Sequence, residues 1–194
     1  PGTLNAIGNN VFNGCTRIRH INLYPSSEGE ALTLGYNTDG EKGPFSDCPL
    51  ESVSWNREID YTLADIDLDA INEGIFSDKE TLTSVTLGNQ VKTLTPYLFA
   101  DTGITSITIP ASVTSIGEYA FDGCESLSSV EFDESPEAIE IKGQGNSDGP
   151  FYDSPLTYVG YKRNINYKKL DGTPFVPVDD TEGIFAINSD LKDF

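Results

Sequence analysis

Apolar residues alternate with Ser and Thr in short stretches that recur along the chain. The clearest are residues 82–87, 104–109 and 127–132, each with apolar residues at its first, fourth and sixth positions. The fourth and sixth positions are two residues apart, the period at which side chains lie on the same side of a β-strand. The pattern predicts a series of short strands that turn one row of aliphatic side chains toward a common interior.

A phenylalanine followed by a turn-forming segment closes each unit. Successive phenylalanines are 33, 31, 23, 22, 30 and 34 residues apart, and the last of them starts an incomplete unit. They are Phe12, Phe45, Phe76, Phe99, Phe121, Phe151 and Phe185. One unit alone cannot bury its apolar side chains, whereas parallel stacking of the units merges the aliphatic rows and the phenylalanines into one core. The recurrence predicts a repeat solenoid.

The sequence also contains a longer repeat, which spans several of the short units. Gly43-Pro44-Phe45 recurs 106 residues later as Gly149-Pro150-Phe151, and Arg57 matches Arg163 at the same offset. A large unit has therefore been duplicated within one array. We expect residues 1–194 to form a single domain of about seven coils, including incomplete terminal repeats.

The motif I-G-x-x-x-F-x-G-C-x-x-L-x-x-I-x-L, present with small changes at residues 7–23 and 116–132, resembles the BspA-like leucine-rich repeat. This resemblance implies a right-handed, horseshoe-like solenoid with a parallel sheet and short 3₁₀ or turn segments on the convex side. It also implies a bacterial protein, secreted or displayed on the cell surface, that adheres to host or microbial proteins. It supplies no catalytic residues to carry over.

Charge narrows the range of partners. The 31 acidic and 12 basic residues give a formal net charge of -19, which repels nucleic acid and anionic lipid. No apolar run approaches the roughly 20 residues of a membrane-spanning helix, and no leader opens the chain. Because the chain also has no Met, we expect that any export signal lay upstream of Pro1.

The residues between the inward positions of the strands should form an exposed face with one row per coil. They are His20, Asn22, Ser52, Ser54, Ser84, Thr86, Ser106, Thr108, Ser129, Glu131 and Tyr158, with Gly160 completing the last row. Ser and Thr also pair across strands for structural reasons alone. The same broad, nearly uncharged face could instead dock an extracellular protein, such as a host matrix or cell-surface protein. A glycan is the alternative ligand, although Tyr158 is the only aromatic residue on the face.

Other aromatic and basic residues allow two interpretations. Trp55 and Tyr161 occupy the last inward position of their strands, which favours packing at the edge of the core. The longer coils also repeat an Arg and a Tyr, which could form a basic and aromatic patch or serve as structural arginines that bind neighbouring carbonyls or acids. These residues are Arg57, Tyr61, Arg163 and Tyr167.

Nothing in the sequence indicates catalysis or a cofactor. His20 is the single histidine, and its only available partner would be Cys15 in the preceding turn. The acidic clusters 133–140 and 179–182 are typical of solvated loops, and residues 143–149 of a flexible turn. None of these three segments fits a catalytic or phosphate-binding motif.

We predict no metal site. Residues 65–69 read Asp-Ile-Asp-Leu-Asp, but Ala70 and Phe76 replace the Gly and Glu that a calcium loop needs. At most, three carboxylates on one side of a strand would attract Ca²⁺ weakly.

The three cysteines are too few for a disulfide framework. Free, buried thiols are the simplest interpretation of Cys15, Cys48 and Cys124. A bridge between Cys15 and Cys48 remains open, whereas Cys124 lies four coils from Cys15, beyond the approximate 7 Å limit for bridged Cα atoms.

Overall fold

The computed structural model describes residues 4–8, 11–35, 44–60, 74–143, 149–169 and 172–174. Within these ranges the secondary structure consists of β-strands and turns, without helices. The strands are β1 (Ala6–Ile7), β2 (His20–Leu23), β3 (Leu32–Leu34), β4 (Ser52–Trp55), β5 (Ile59–Asp60), β6 (Ser84–Leu87), β7 (Thr93–Leu94), β8 (Ser106–Ile109), β9 (Ser115–Ile116), β10 (Ser129–Phe132), β11 (Ile139–Gly143), β12 (Tyr158–Tyr161) and β13 (Ile165–Lys169).

The strands form two sets, with one strand of each set in most coils. The first set makes the three-stranded sheets β2-β4-β6 and β8-β10-β12, which lie next to each other at β6 and β8. The second set makes the sheets β1-β3-β5 and β7-β9-β11-β13. All of these strands pair in parallel, each with its counterpart in the neighbouring coil. This architecture fits the predicted repeat solenoid.

A continuous column of phenylalanine rings runs through the core. Six rings, one from each of six coils, stack with centroids 5.2 to 5.7 Å apart and planes within 21° of parallel. The rings belong to Phe12, Phe45, Phe76, Phe99, Phe121 and Phe151. Offset stacking at this distance is favourable for aromatic pairs. The column confirms that successive phenylalanines in the sequence mark successive coils. Phe185, the last of the series, lies outside the described residues.

Five of the six described phenylalanines, all except Phe45, are followed two residues later by a residue with a left-handed backbone. Gly14 and Gly123 have φ of 73° and 61° there, while Asp78, Asp101 and Asp153 have φ between 51° and 55°. Gly adopts this left-handed region without strain, and Asp tolerates it better than most residues. The F-x-[G/D] signature of the repeats therefore reflects turn geometry.

Arg57 and Arg163 are buried and donate hydrogen bonds to backbone carbonyls. Arg57 binds the carbonyls of Leu4 and Glu30. Arg163 binds Glu137 O at 3.0 Å and Val113 O at 2.8 Å. Each guanidinium thus joins its own coil to the two preceding ones, and the structural interpretation is correct. A basic patch on the surface is excluded for both arginines.

Of the two forms predicted for the segments after the phenylalanines, turns are present, and no 3₁₀ helix occurs in the residues that the structure describes. Two further expectations need correction. The acidic segment 133–140 is not all loop, because β11 begins at Ile139 and includes Glu140. Tyr161 stacks on Phe132 but is 42 % exposed, unlike Trp55, which is 2 % exposed. The reason is that β12 is the outer strand of its sheet in the described part of the chain.

Several expectations concern residues outside the described ranges. They are those for Tyr61, for the alternating aspartates 65–69, for the acidic cluster 179–182 and for residues 144–148 of the expected flexible turn. The thiols of Cys15, Cys48 and Cys124 are all free in this structure.

Candidate functional site

The first set of strands brings the predicted face residues into register. Four rows of directly opposed residues cross it. These rows are His20–Ser52–Ser84, Asn22–Ser54–Thr86, Ser106–Ser129–Tyr158 and Thr108–Glu131–Gly160. All eleven predicted face residues therefore lie on one side of the strands, and we call this surface the strand face.

The centre of the strand face is uncharged and exposed. On β6 and β8, the outward residues Ser84, Thr86, Ser106 and Thr108 are exposed, whereas the residues between them are buried. This strict alternation arises because the inward Val and Ile side chains fill the core, and it leaves only hydroxyl groups outside. A flat array of hydroxyls can donate and accept hydrogen bonds in many directions. It is suited to binding and contains no general acid or base.

Charged pairs lie toward the two ends of the face. Arg19 Nη1 lies 2.8 Å from Glu51 Oε1 at the end near β2, where the ring of His20 also hydrogen-bonds to the hydroxyl of Ser52 at 2.9 Å. At the other end, Lys162 Nζ forms a salt bridge with Glu131. Because these charges are paired, most of the net negative charge of the molecule lies outside the strand face.

The end of the face at β12 has the most specific arrangement. The hydroxyl of Tyr158 lies 3.4 Å from Glu131 Oε2, and the ring passes over Gly160, which is buried although it occupies an outward position. The hydrogen bond from Lys162 lowers the pKa of Glu131, and the same contact raises the pKa of Lys162. Both groups stay charged at neutral pH.

Tyr161 lies beside this arrangement on the inward side of β12. Its ring stacks on Phe132 with centroids 5.9 Å apart and planes 2° from parallel. Partial burial raises its pKa to about 12, because the ionised phenolate would lose solvation there. Tyr161 therefore supports β12 as a neutral side chain.

An open groove of 690 Å³ lies at the turns that follow the phenylalanines. Asp47, Asp78, Glu80 and Asp101 line it together with the buried Lys79. Partial burial, followed by repulsion from Asp78, raises the pKa of Asp101. Within the described residues, no group of three His, Cys, Asp or Glu side chains is arranged to hold a metal ion.

Cys48 and Cys124 are not activated as nucleophiles in this structure. Burial raises the pKa of Cys124 to about 11 and also raises that of Cys48. A reactive thiolate requires the opposite shift. Cys124 instead donates to Phe99 O at 3.1 Å and lies 3.3 Å from the hydroxyl of Thr102, which is a packing role.

One contributor to the face, Lys162, was missed in the sequence, and it follows β12 directly. Gly160 was assigned to its row, but its contact with the Tyr158 side chain was not foreseen. The available signal was the order Tyr-x-Gly on one strand, because residues two apart share a side and the glycine leaves room for the tyrosine ring.

Comparison with known proteins identifies the repeats. A profile of the BspA type leucine rich repeat region matches residues 1–65 and 41–169, in six copies. No curated protein and no solved structure matches the chain. In the described part of the chain, no helix has the length and apolar character needed to cross a membrane.

Proposed function

Because the chain belongs to the BspA-type leucine-rich-repeat family, we propose that it is a non-catalytic protein-recognition module that binds an extracellular protein through its strand face. The observation that carries this proposal is the exposed, uncharged hydroxyl array on β6 and β8 in an otherwise strongly acidic molecule. Leucine-rich repeats generally serve protein interaction. A flat surface with hydrogen-bonding groups and little charge to desolvate matches that use.

We further propose that the module acts in a secreted or surface-displayed bacterial protein and adheres to host or microbial proteins. The repeat type supports this location. The charge of -19 supports a protein partner over nucleic acid, because acidic side chains repel phosphate backbones.

We also propose that residues 1–194 form one array of right-handed coils with horseshoe-like curvature. The unbroken phenylalanine column supports the single array. Small-angle X-ray scattering of the chain would test the shape, since two independent globules would give a different distance distribution from one curved rod.

A second candidate function is glycan binding. It is favoured by one observation, the exposed ring of Tyr158 beside the Glu131–Lys162 pair. Glycan binding and protein binding would use different parts of the same face.

The test is a binding screen of the chain against extracellular-matrix proteins and glycans, with Ca²⁺ and with chelator. Any protein hit would then be measured with the double substitution Thr86→Arg and Thr108→Arg, which places two large charged groups on the centre of the face. We expect this variant to stay folded and to lose binding, since both positions are exposed.

The matched control carries Thr16→Arg and Thr114→Arg. Both residues are exposed and lie off the strand face, so this variant changes the charge by the same amount without altering the face. Loss of binding in the control, or unchanged binding in the face variant, would exclude the strand face.

A further inference from the structure

The ring of Tyr158 is held in a defined position on the strand face. An ideal Cβ built on Gly160 would lie 2.9 Å from the hydroxyl oxygen of Tyr158 and 3.0 Å from Glu131 Oε2. The side chain of Tyr158 therefore extends along its own strand with its hydroxyl over the glycine, and a larger residue at position 160 would have to displace that hydroxyl and the Glu131 carboxylate. Tyr158 remains 52 % exposed in this position. The strand thus presents an aromatic surface to solvent.

Glu131 fixes the end of that ring. It lies directly opposite Gly160 on β10, and its carboxylate reaches the Tyr158 hydroxyl from the neighbouring strand. Contacts to a diagonal neighbour on a sheet are within reach of aromatic side chains. A ring held at both ends loses little conformational freedom when a ligand stacks on it.

A hydrogen-bond acceptor and a donor lie side by side at this ring. The carboxylate of Glu131 accepts a hydrogen bond from Lys162 Nζ through one oxygen and is near Tyr158 through the other. The side chains of Glu131 and Lys162 are 31 % and 53 % exposed. Both groups can thus form hydrogen bonds to a ligand on the ring, because the carboxylate has free lone pairs and the ammonium has three donors.

The charge balance of this site selects the type of ligand. A cationic ligand would compete with Lys162 for Glu131, and an anionic ligand would be repelled by a molecule of charge -19. A neutral ligand with adjacent hydroxyl groups can use both partners, donating to Glu131 and accepting from Lys162. The apolar face of a pyranose ring would meanwhile cover the tyrosine ring.

We propose that Tyr158, Glu131 and Lys162, with Gly160 beneath the ring, form a subsite for one pyranose unit of a neutral saccharide. The subsite goes beyond the proposed protein recognition and makes the glycan alternative specific. It lies at the β12 end of the strand face and borders the hydroxyl array where Glu131 lies opposite Thr108. The chain could therefore bind a glycosylated partner with both surfaces.

The experiment is isothermal titration calorimetry of the chain with neutral tetrasaccharides of glucose, N-acetylglucosamine, mannose and galactose. We expect at least one of them to bind. Tyr158→Ala should then weaken binding about tenfold or more, because it removes the stacking surface. Gly160→Val should weaken binding to a similar extent although it keeps all three contacting side chains, since its side chain displaces the ring. Tyr158→Phe should stay within a few-fold of the wild type.

The matched control is Tyr24→Ala. Tyr24 is 64 % exposed and follows β2 at the opposite end of the face, so its removal tests for non-specific binding to exposed aromatic rings. It should leave the affinity unchanged. Circular dichroism of each variant should match the wild type, because these positions lie outside the core.

Two results would overturn the subsite. One is the absence of binding to all four tetrasaccharides, and the other is binding that Tyr158→Ala and Gly160→Val leave unchanged. The single variant Thr86→Arg separates this proposal from protein recognition, because Thr86 is on β6, two strands from Glu131, whereas Thr108 lies directly opposite Glu131. It should abolish protein binding and retain saccharide binding, so each proposal can fail alone.

Discussion

The repeat motif occurs twice at an offset of 109 residues, at 7–23 and at 116–132, and its two copies differ sharply in burial. In the second copy, Phe121, Cys124 and Leu127 are each 0 % exposed. In the first copy, Phe12 and Cys15 are only partly buried. Nearly the same residues, in the same local geometry, therefore have different environments.

The difference comes from neighbouring coils. β10 pairs with β8 on one side and β12 on the other, whereas β2 pairs only with β4 in the described residues. The first coil also exposes Val11 and Leu4, by 54 % and 40 %. Because each coil buries its apolar side chains against its neighbours, stability in this fold depends on position in the array. Four predictions compare the first coils with the later ones to test that conclusion, and we give them in order of decreasing effect.

The largest difference should come from the stacked phenylalanines. Phe121→Ala should lower the free energy of unfolding by about 3–5 kcal/mol, because it leaves a cavity between two stacked rings. Phe12→Ala should cost only about 1–2 kcal/mol, since its ring is already partly exposed and stacks on one side. Urea unfolding followed by circular dichroism would measure both values. Equal losses would contradict a dependence on position.

The buried arginines give the next test. Arg163→Met should cost roughly 2–3 kcal/mol, because it leaves the buried carbonyl of Val113 and the partly buried carbonyl of Glu137 without their donor. Arg163→Lys should not restore the loss, since an ammonium cannot reach both carbonyls in the planar geometry of a guanidinium. Arg57→Met should instead open the first two coils locally, because Arg57 binds Leu4 in one and Glu30 in the next. Thermal unfolding of the three variants would measure these losses of stability. Recovery of stability in Arg163→Lys would contradict this account.

These outcomes also show what the sequence could and could not predict. The phenylalanine column and the outward rows follow from spacing and period, and both arginines were correctly considered as structural. The exposure of the first coil could not be predicted, because its motif is nearly identical to the buried copy. Glu140 was assigned to a loop since it follows a run of acids, but the parallel pairing of β11 with β13 extends the strand through it. The role of Gly160 depends on the conformation of Tyr158, which the Tyr-x-Gly order permits but does not specify.

The third prediction concerns the cysteines of the two copies at alkaline pH. Burial raises the pKa of Cys124 from 9.0 to about 11, so the folded protein holds this proton more tightly than the unfolded chain. The resulting stability is fully present below pH 9 and is lost as the pH rises toward 11, by on the order of 2 kcal/mol. Cys124→Ala should flatten this part of the profile, and Cys15→Ala should leave it in place. Urea unfolding at several pH values would measure the stability of both variants. An unchanged dependence of stability on pH in Cys124→Ala would contradict the burial of this thiol.

The smallest effect should come from the surface ion pairs. Arg19–Glu51 and Lys162–Glu131 are both largely exposed, and pairs of this kind contribute little to stability. The lowered pKa of Glu131 gives a small contribution that is present at neutral pH and is lost as the pH falls below the ordinary value of 4.5. Glu131→Gln and Glu51→Gln should therefore leave the urea midpoint almost unchanged, with and without about 1 M salt. A large shift in either variant would contradict this interpretation.

Native-state amide hydrogen exchange of the whole chain tests the central claim most directly. We expect the amides of β10 to exchange only with global unfolding, since strands stack on both sides of it. The amides of β2 should exchange faster through local opening, although the motif is nearly the same. Equal protection of β2 and β10 would contradict the conclusion that neighbouring coils, and not the repeat itself, determine burial and stability.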